Sequence, residues 1–263
     1  MEIPYMVQAV PDILARIVLQ KKAEPRRLTP QLEADAEASL TARRDFHRAL
    51  TVRAPAIIAE IKKASPSRGV LAADFHPASI AETYSRGGAA ALSVLTDGPN
   101  FQGSLDDLRA ARASVTLPVL RKDFTIGEFD IIEAAAAGAD AILLIAAILD
   151  EAQLRAYREL AASYRMAALV EVHNEVELQT AIGSGAQIIG VNNRNLHTFE
   201  VTLEVALRLA DQIPSDVVRV AESGIHGAAD VQRLRSAGFT AFLVGEHLMK
   251  SGDPAAAIEA LIA

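Results

Sequence analysis

The chain has 263 residues, 51% of them hydrophobic and 22% charged, enough for one large core and inside the size range of a single α/β barrel. A formal net charge of −7, with a pI near 5.4, argues against a broad nucleic-acid or membrane surface and leaves room for a local positive pocket that binds a small anion. There are no cysteines, so disulfides, thiolate metal sites and cysteine nucleophiles are excluded together.

The first stretch, MEIPYMVQAVPDILARIVLQKK, has acidic and proline residues early and no continuous apolar run, so no signal peptide is expected and the cytoplasm is the expected location. PDILARIVLQKKAEP and TPQLEADAEASLTARRDFHRAL carry helical patterns. Residues 1–50 therefore read as an N-terminal helical extension to one domain spanning 1–263. The first strand pattern is APAIIAEIK, followed by the amphipathic stretch HPASIAETYSRG. Then come RGGAAALSVL and SLDDLRAARAS, LPVLRKDF and EFDIIEAAAAG, AAGADAILLI and DEAQLRAYRELAASY, AALVEV and EVELQTAIGSG. GSGAQIIGVN and TLEVALRLADQ, DVVRVAESG and AADVQRLRSAG, and SAGFTAFLVG and PAAAIEALIA complete the series.

Four of these strand segments share one grammar: glycine or a small pair, then Ala or Phe, then a short apolar run. Their glycines fall near residues 88, 138, 185 and 238, each where a helix stops and a strand begins. A period of about 50 residues holds two βα units of roughly 25 to 30 each. Eight strands, each followed by a helix, predict a (β/α)8 TIM barrel with parallel connections. An open doubly wound sheet is the rival, and GxGxxG, the turn expected there, is absent. The longest apolar run, EAAAAGADAILLIAAILDEA, is broken by Asp140 and reads as helix end, turn and strand, so no membrane span is expected.

A barrel of this kind builds its site at the carboxyl ends of the strands. Those ends are polar: Glu60 and Lys62; Arg121, Lys122 and Asp123; Glu171; Asn192, Asn193 and Arg194; Glu222 and Ser223. Glu60 and Lys62 share one face of an apolar strand, as do Asn192 and Arg194. Ammonium and carboxylate groups in one mouth suit general acid and base work, with burial and mutual charge able to move their pKa values toward neutrality. Arg121 and Asp123, out of phase with Lys122, are expected to face the helices and pair structurally. Glycines follow the last two strands in VAESGIHG and FLVGEHLM, where barrels commonly bind phosphate through backbone N–H groups; Ser223, Gly224, Gly245 and Glu246 are the candidate donors. The six scattered histidines read as surface or capping residues, and no metal is implied. Phe101 and Phe124 lie just past the second and third strands, as loop packing or as a wall for a flat substrate. A sugar-phosphate isomerase, a Schiff-base aldolase using Lys62 or Lys122, and a silent phosphate-binding barrel remain open on these grounds.

AEIKKASPSRG, LSVLTDGPNFQGS, PVLRKDF, LVEVHNEVEL, IGVNNRNL, VAESGI and FLVGEHLM, in that order from about Pro55 to Met249, resemble the indole-3-glycerol phosphate synthase family. The resemblance implies a lyase of tryptophan biosynthesis. Its reaction would be decarboxylating ring closure of 1-(2-carboxyphenylamino)-1-deoxyribulose 5-phosphate to indole-3-glycerol phosphate, carbon dioxide and water. It implies Lys122 as general acid on the ketone, Glu171 as base in the dehydration, Lys62 as a contact to substrate anions positioned by Glu60, and Asn192 as an orienting group. Arg194 would lie near the substrate carboxylate. Ser65, Ser223, Gly224, Gly245 and Glu246 would cradle the phosphate, and Phe101 and Phe124 would wall the aromatic ring. The partner implied is a phosphorylated small molecule, with no nucleic acid and no membrane; a monomer or weak homo-oligomer is expected.

Overall fold

The structure, a computed structural model, describes residues 12–66, 69–72 and 74–263. The opening residues 1–11, and Ser67 and Arg68 of the ASPSRG turn, lie outside the described residues. Among the described residues, eight parallel strands close a barrel: β1 Ala56–Ile61, β2 Ala91–Leu95, β3 Val119–Lys122, β4 Ala141–Ile145, β5 Ala167–Val172, β6 Ile188–Asn192, β7 Val218–Glu222 and β8 Ala241–Val244. Each strand pairs with its sequence neighbour, and β1 closes the ring on β8, with Ala56 opposite Ala241 and Ala59 opposite Val244. The doubly wound alternative is thereby excluded.

The strand breaks follow the glycine repeat. Gly88, Gly138, Gly185 and Gly238 all take left-handed φ, between 80° and 94°, the conformation that ends a helix and turns the chain into the next strand. Helix starts are equally local. Ser104, Asp150 and Asn174 accept hydrogen bonds from the backbone N–H groups of Asp107, Gln153 and Glu177, fixing where the helices after β2, β4 and β5 begin.

Two apolar cores result. One lies between strands and outer helices and includes Ile57, Leu92, Val170 and Phe242; the other fills the barrel with Ile58, Leu120, Leu169, Val220 and Leu243. Side-chain alternation on each strand sorts residues between the two. Helix Phe46–Thr51 plugs the amino-terminal end of the barrel with Phe46 and Leu50, both fully buried. Above it, Asp140 accepts from the backbone N–H groups of Arg44 and Val119 and pairs with Arg112 at 3.0 Å, tying the extension to β3 and β4. No helix among the described residues is long and apolar enough to cross a membrane.

Candidate functional site

The last inward-facing positions of the odd-numbered strands carry charge. Glu60 on β1, Lys122 on β3, Glu171 on β5 and Glu222 on β7 sit above the apolar layer of Ile58, Leu120, Leu169 and Val220. Alternate strands supply one layer of a barrel interior, so these four groups converge. Lys122 Nζ lies 3.0 Å from Glu171 Oε2 and 3.5 Å from Glu222 Oε2. Lys62, one residue past β1, puts Nζ 2.6 Å from Glu60 Oε1.

Burial alone would strip the charge from Lys122, but Glu171, Glu222 and Glu60 outweigh it and hold the ammonium above its ordinary range. Burial likewise opposes charge on Glu171, yet Lys122 and His173 keep its carboxyl well below the usual range. The expected drift of this pair toward neutrality is therefore reversed: the surrounding carboxyl groups hold Lys122 charged, and Lys122 with His173 holds Glu171 charged. Glu222 behaves differently. Burial first, then the negative charges of Glu171 and Glu60, push it up to about 8 against the pull of Lys122. It is the carboxyl poised near neutral pH.

One cavity gathers nearly all the residues singled out from the sequence. It is lined by Glu60, Lys62, Ser65, Phe101, Lys122, Phe124, Glu171, Asn192, Arg194, Ser223 and Glu246. Phe101 and Phe124 face each other at 6.2 Å between ring centroids, tilted by 40°, and form one wall. Asn192 Oδ1 accepts from Ser223 Oγ (2.9 Å) and from the Arg194 N–H (3.1 Å), so its NH2 is the group that can donate to a ligand. Ser223 and Gly224 are consecutive left-handed residues, φ 64° and 77°, an unusual conformation for serine that turns the chain sharply at the mouth. Arg194 reaches to 3.9 Å from Glu246 Oε2, bridging the β6 and β8 loops. Gly224 and Gly245 stand beside the lining residues Ser223 and Glu246 in the chain.

Arg121 and Asp123 pair with each other at 3.1 Å as expected; Arg121 turns to the helix side, onto Glu133 and the Asp130 carbonyl, whereas Asp123 also lines the cavity. Asp123 also receives Lys21 at 2.7 Å, and although burial opposes its charge, Arg121 and Lys21 hold it at about 2. Lys21 belongs to helix Asp12–Ala23, whose Ile13, Leu14 and Ile17 line the same cavity. Ile13, Leu14 and Ile17 were not anticipated, since helical periodicity does not say which helix lies over the mouth; nor was Phe199, in the loop after β6. Glu222 was noted as a strand end and left out of the catalytic set; its position matching Glu60, Lys122 and Glu171 on alternate strands is the signal that finds it. The reading of every histidine as surface or capping fails at His173, which is partly buried beside Glu171.

The family model for indole-3-glycerol phosphate synthase matches residues 13–261. The chain belongs to the indole-3-glycerol phosphate synthase family. The protein of that name from Polaromonas naphthalenivorans is 51% identical over 95% of this chain and 98% of its own length. The one from Leptothrix cholodnii is 51% identical over 96% and 99%. Among solved structures, the thiamine phosphate pyrophosphorylase of Pyrococcus furiosus superposes with a TM-score of 0.59 at 16% identity, covering 79% of this chain and 93% of that one, a likeness of fold. As a member of the synthase family the chain is a carboxy-lyase of tryptophan biosynthesis acting on a phosphorylated small molecule.

Proposed function

We propose that the convergence of Lys122, Glu171 and Glu222 at the floor of the cavity carries out the ring closure of 1-(2-carboxyphenylamino)-1-deoxyribulose 5-phosphate. The carrying observation is the Lys122 ammonium, fully charged and 3.0 Å from the carboxylate of Glu171. Lys122 gives its proton to the ribulose ketone, which makes that carbon attackable by the aromatic ring carbon bearing the carboxylate. Carbon dioxide then leaves with the ring's aromaticity restored. Glu171 takes a proton from the ribulose C1 while the hydroxyl at C2 takes one from Lys122, recharged by Glu222, and departs as water, which completes the indole. An acid and a base held this way supply typically 10²–10⁴-fold each. Glu222, protonated near neutral pH and 3.5 Å from Lys122, is placed to return a proton to it.

Around this centre the proposed binding groups divide by chemistry. Phe101 and Phe124, with Ile13, Leu14 and Ile17, enclose the aromatic ring; Arg194 meets its carboxylate with a planar fork. Lys62, held by Glu60, contacts the substrate's anionic groups, and the Asn192 NH2 orients its hydroxyls. Ser65, Ser223, Gly224, Gly245 and the backbone N–H of Glu246 cradle the phosphate. No cofactor is required, because the substrate's nitrogen and ring act as the electron sink. A cytoplasmic location and a monomeric or weakly associating state complete the reading; light scattering tests the latter.

The test is formation of indoleglycerol phosphate, followed by its fluorescence, from the carboxyphenylamino substrate. No signal from pure, folded protein refutes the proposal. Borohydride trapping of a lysine adduct would instead favour a Schiff-base aldolase and remove Lys122 from its role as acid.

A further inference from the structure

The segment after β5 holds a partly buried histidine between two carboxylates. His173 Nδ1 lies 2.9 Å from Glu177 Oε2, and the same oxygen accepts the His173 backbone N–H at 2.8 Å. On the other side of the ring, Nε2 lies 3.3 Å from Glu171 Oε1, an ion-pair contact rather than an aligned hydrogen bond. Glu177 is itself fixed: its Oε1 accepts from Asn174 Nδ2 at 2.6 Å, and its N–H donates to Asn174 Oδ1 at 3.0 Å. The side chain of His173 is 11% exposed.

A neutral imidazole carries one N–H. The 2.9 Å contact to Glu177 demands it on Nδ1, which would leave the Nε2 lone pair aimed at a carboxylate oxygen of Glu171. Protonating Glu171 would relieve that repulsion, but its other oxygen faces the Lys122 ammonium at 3.0 Å. A proton on both ring nitrogens keeps the Nδ1 contact to Glu177 and turns the 3.3 Å approach of Nε2 to Glu171 from repulsive to attractive. Burial opposes the added charge, and the two carboxylates overcome it, so the ring is pushed up to about 10. Glu171 thus has one cation on each oxygen, and the row Glu177, His173, Glu171, Lys122 alternates in sign, with Glu222 and Glu60 beyond Lys122.

We infer that His173 is a positioning residue for the ring closure: its imidazolium, clamped by Glu177, keeps the Glu171 carboxylate ionised and aimed into the cavity. When Lys122 has given up its proton, His173 is the cation that remains on Glu171, so the base stays charged and in place for the proton it must take from substrate. The inference rests on the assignment of Glu171 as base.

Two measurements test it. In protein labelled with ¹⁵N-histidine, the His173 signals, assigned by their loss in His173→Asn, should report both ring nitrogens protonated from pH 6 to 9; a neutral ring at pH 7 overturns the inference. His173→Asn keeps an amide for Glu177 and offers Glu171 no cation. Its kcat should fall about 10-fold or more, with KM changed by no more than about twofold, because an ionised and aligned base matters after binding. Unchanged kcat in the folded variant overturns the inference. Glu171→Gln separates the two readings: if it abolishes turnover while His173→Asn does not, only the role of His173 falls, and if it turns over normally the base assignment itself falls.

Discussion

The Glu60 carboxylate occupies the space that a Cβ on Gly245 would need. Sequence reading placed Gly245 at the phosphate for its backbone N–H; the structure adds that the strand-eight turn must leave room for the side chain that holds Lys62. Gly245→Ala should therefore push Glu60 aside and break its 2.6 Å contact with Lys62. The expected outcome is a higher KM and a lower kcat together in steady-state assays of the folded variant, whereas a pure phosphate role would raise KM alone.

Lys122→Met should lower kcat by about 10² or more while changing KM little, because an acid acts mainly in the transition state. A rise in KM alone would make Lys122 a binding group. The variant also leaves buried carboxyl groups without their ammonium. Glu171 is held low by Lys122, so the stability that the pair supplies is present above the ordinary carboxylate range and is lost as pH falls below it. Lys122 is held high, so its share persists until pH rises past the ordinary lysine range. The Tm gap between wild type and variant should be widest between about pH 5 and 10 and shrink toward acid.

Glu222→Gln is expected to raise Tm at pH 8 relative to wild type more than at pH 5. In the folded chain Glu222 keeps its proton up to about 8, while the unfolded chain releases it near 4.5. Between those values the folded state binds more protons, so wild-type stability falls as pH rises, at roughly 1.4 kcal/mol per pH unit for an isolated group. A neutral amide removes that slope. Thermal melts of both proteins across this range decide it, and parallel curves would place the Glu222 proton elsewhere.

Lys21→Met unpairs one side of Asp123 at a site where Lys21 is 6% exposed. Asp123 keeps Arg121, Thr96 and the Phe124 N–H, so the loss should be about 1–3 kcal/mol rather than that of a stranded charge. Helix Asp12–Ala23 carries Ile13, Leu14 and Ile17 into the cavity, so KM should rise and amide exchange in this helix should quicken. Unchanged exchange would mean that apolar contacts alone seat the helix.

Phe46→Ala is the contrasting case. Phe46 is buried at the opposite end of the barrel, and its truncation should cost about 3–5 kcal/mol of stability. Measured well below the melting temperature, kcat and KM should match wild type.

What could be read from the chain and what could not divide along physical lines. The strands and helices were legible because their signals are local: the glycines at 88, 138, 185 and 238 take the conformation their position demands, and alternation assigns Ile57 and Ile58 to opposite faces. The cavity residues were legible because the fold fixes which end of each strand is the mouth. The direction in which Lys122 and Glu171 are shifted was not, since it depends on how many carboxyl groups meet one ammonium, a count that exists only after the barrel closes. His173 escaped for the same reason: its neighbour Glu177 belongs to a helix pattern, and nothing in LVEVHNEVEL says the ring turns inward.

The closed ladder from β1 round to β8 has a consequence for how such a site can change. Glu60, Lys122, Glu171 and Glu222 stand on alternate staves of one hoop, so no pair of them can be moved apart without altering the tilt of all eight. The spacing of acid and base is inherited from the circumference of the barrel. Variation in what the cavity accepts is left to the rim, to the Arg194, Phe101 and Ser65 loops and to the helix laid across the opening.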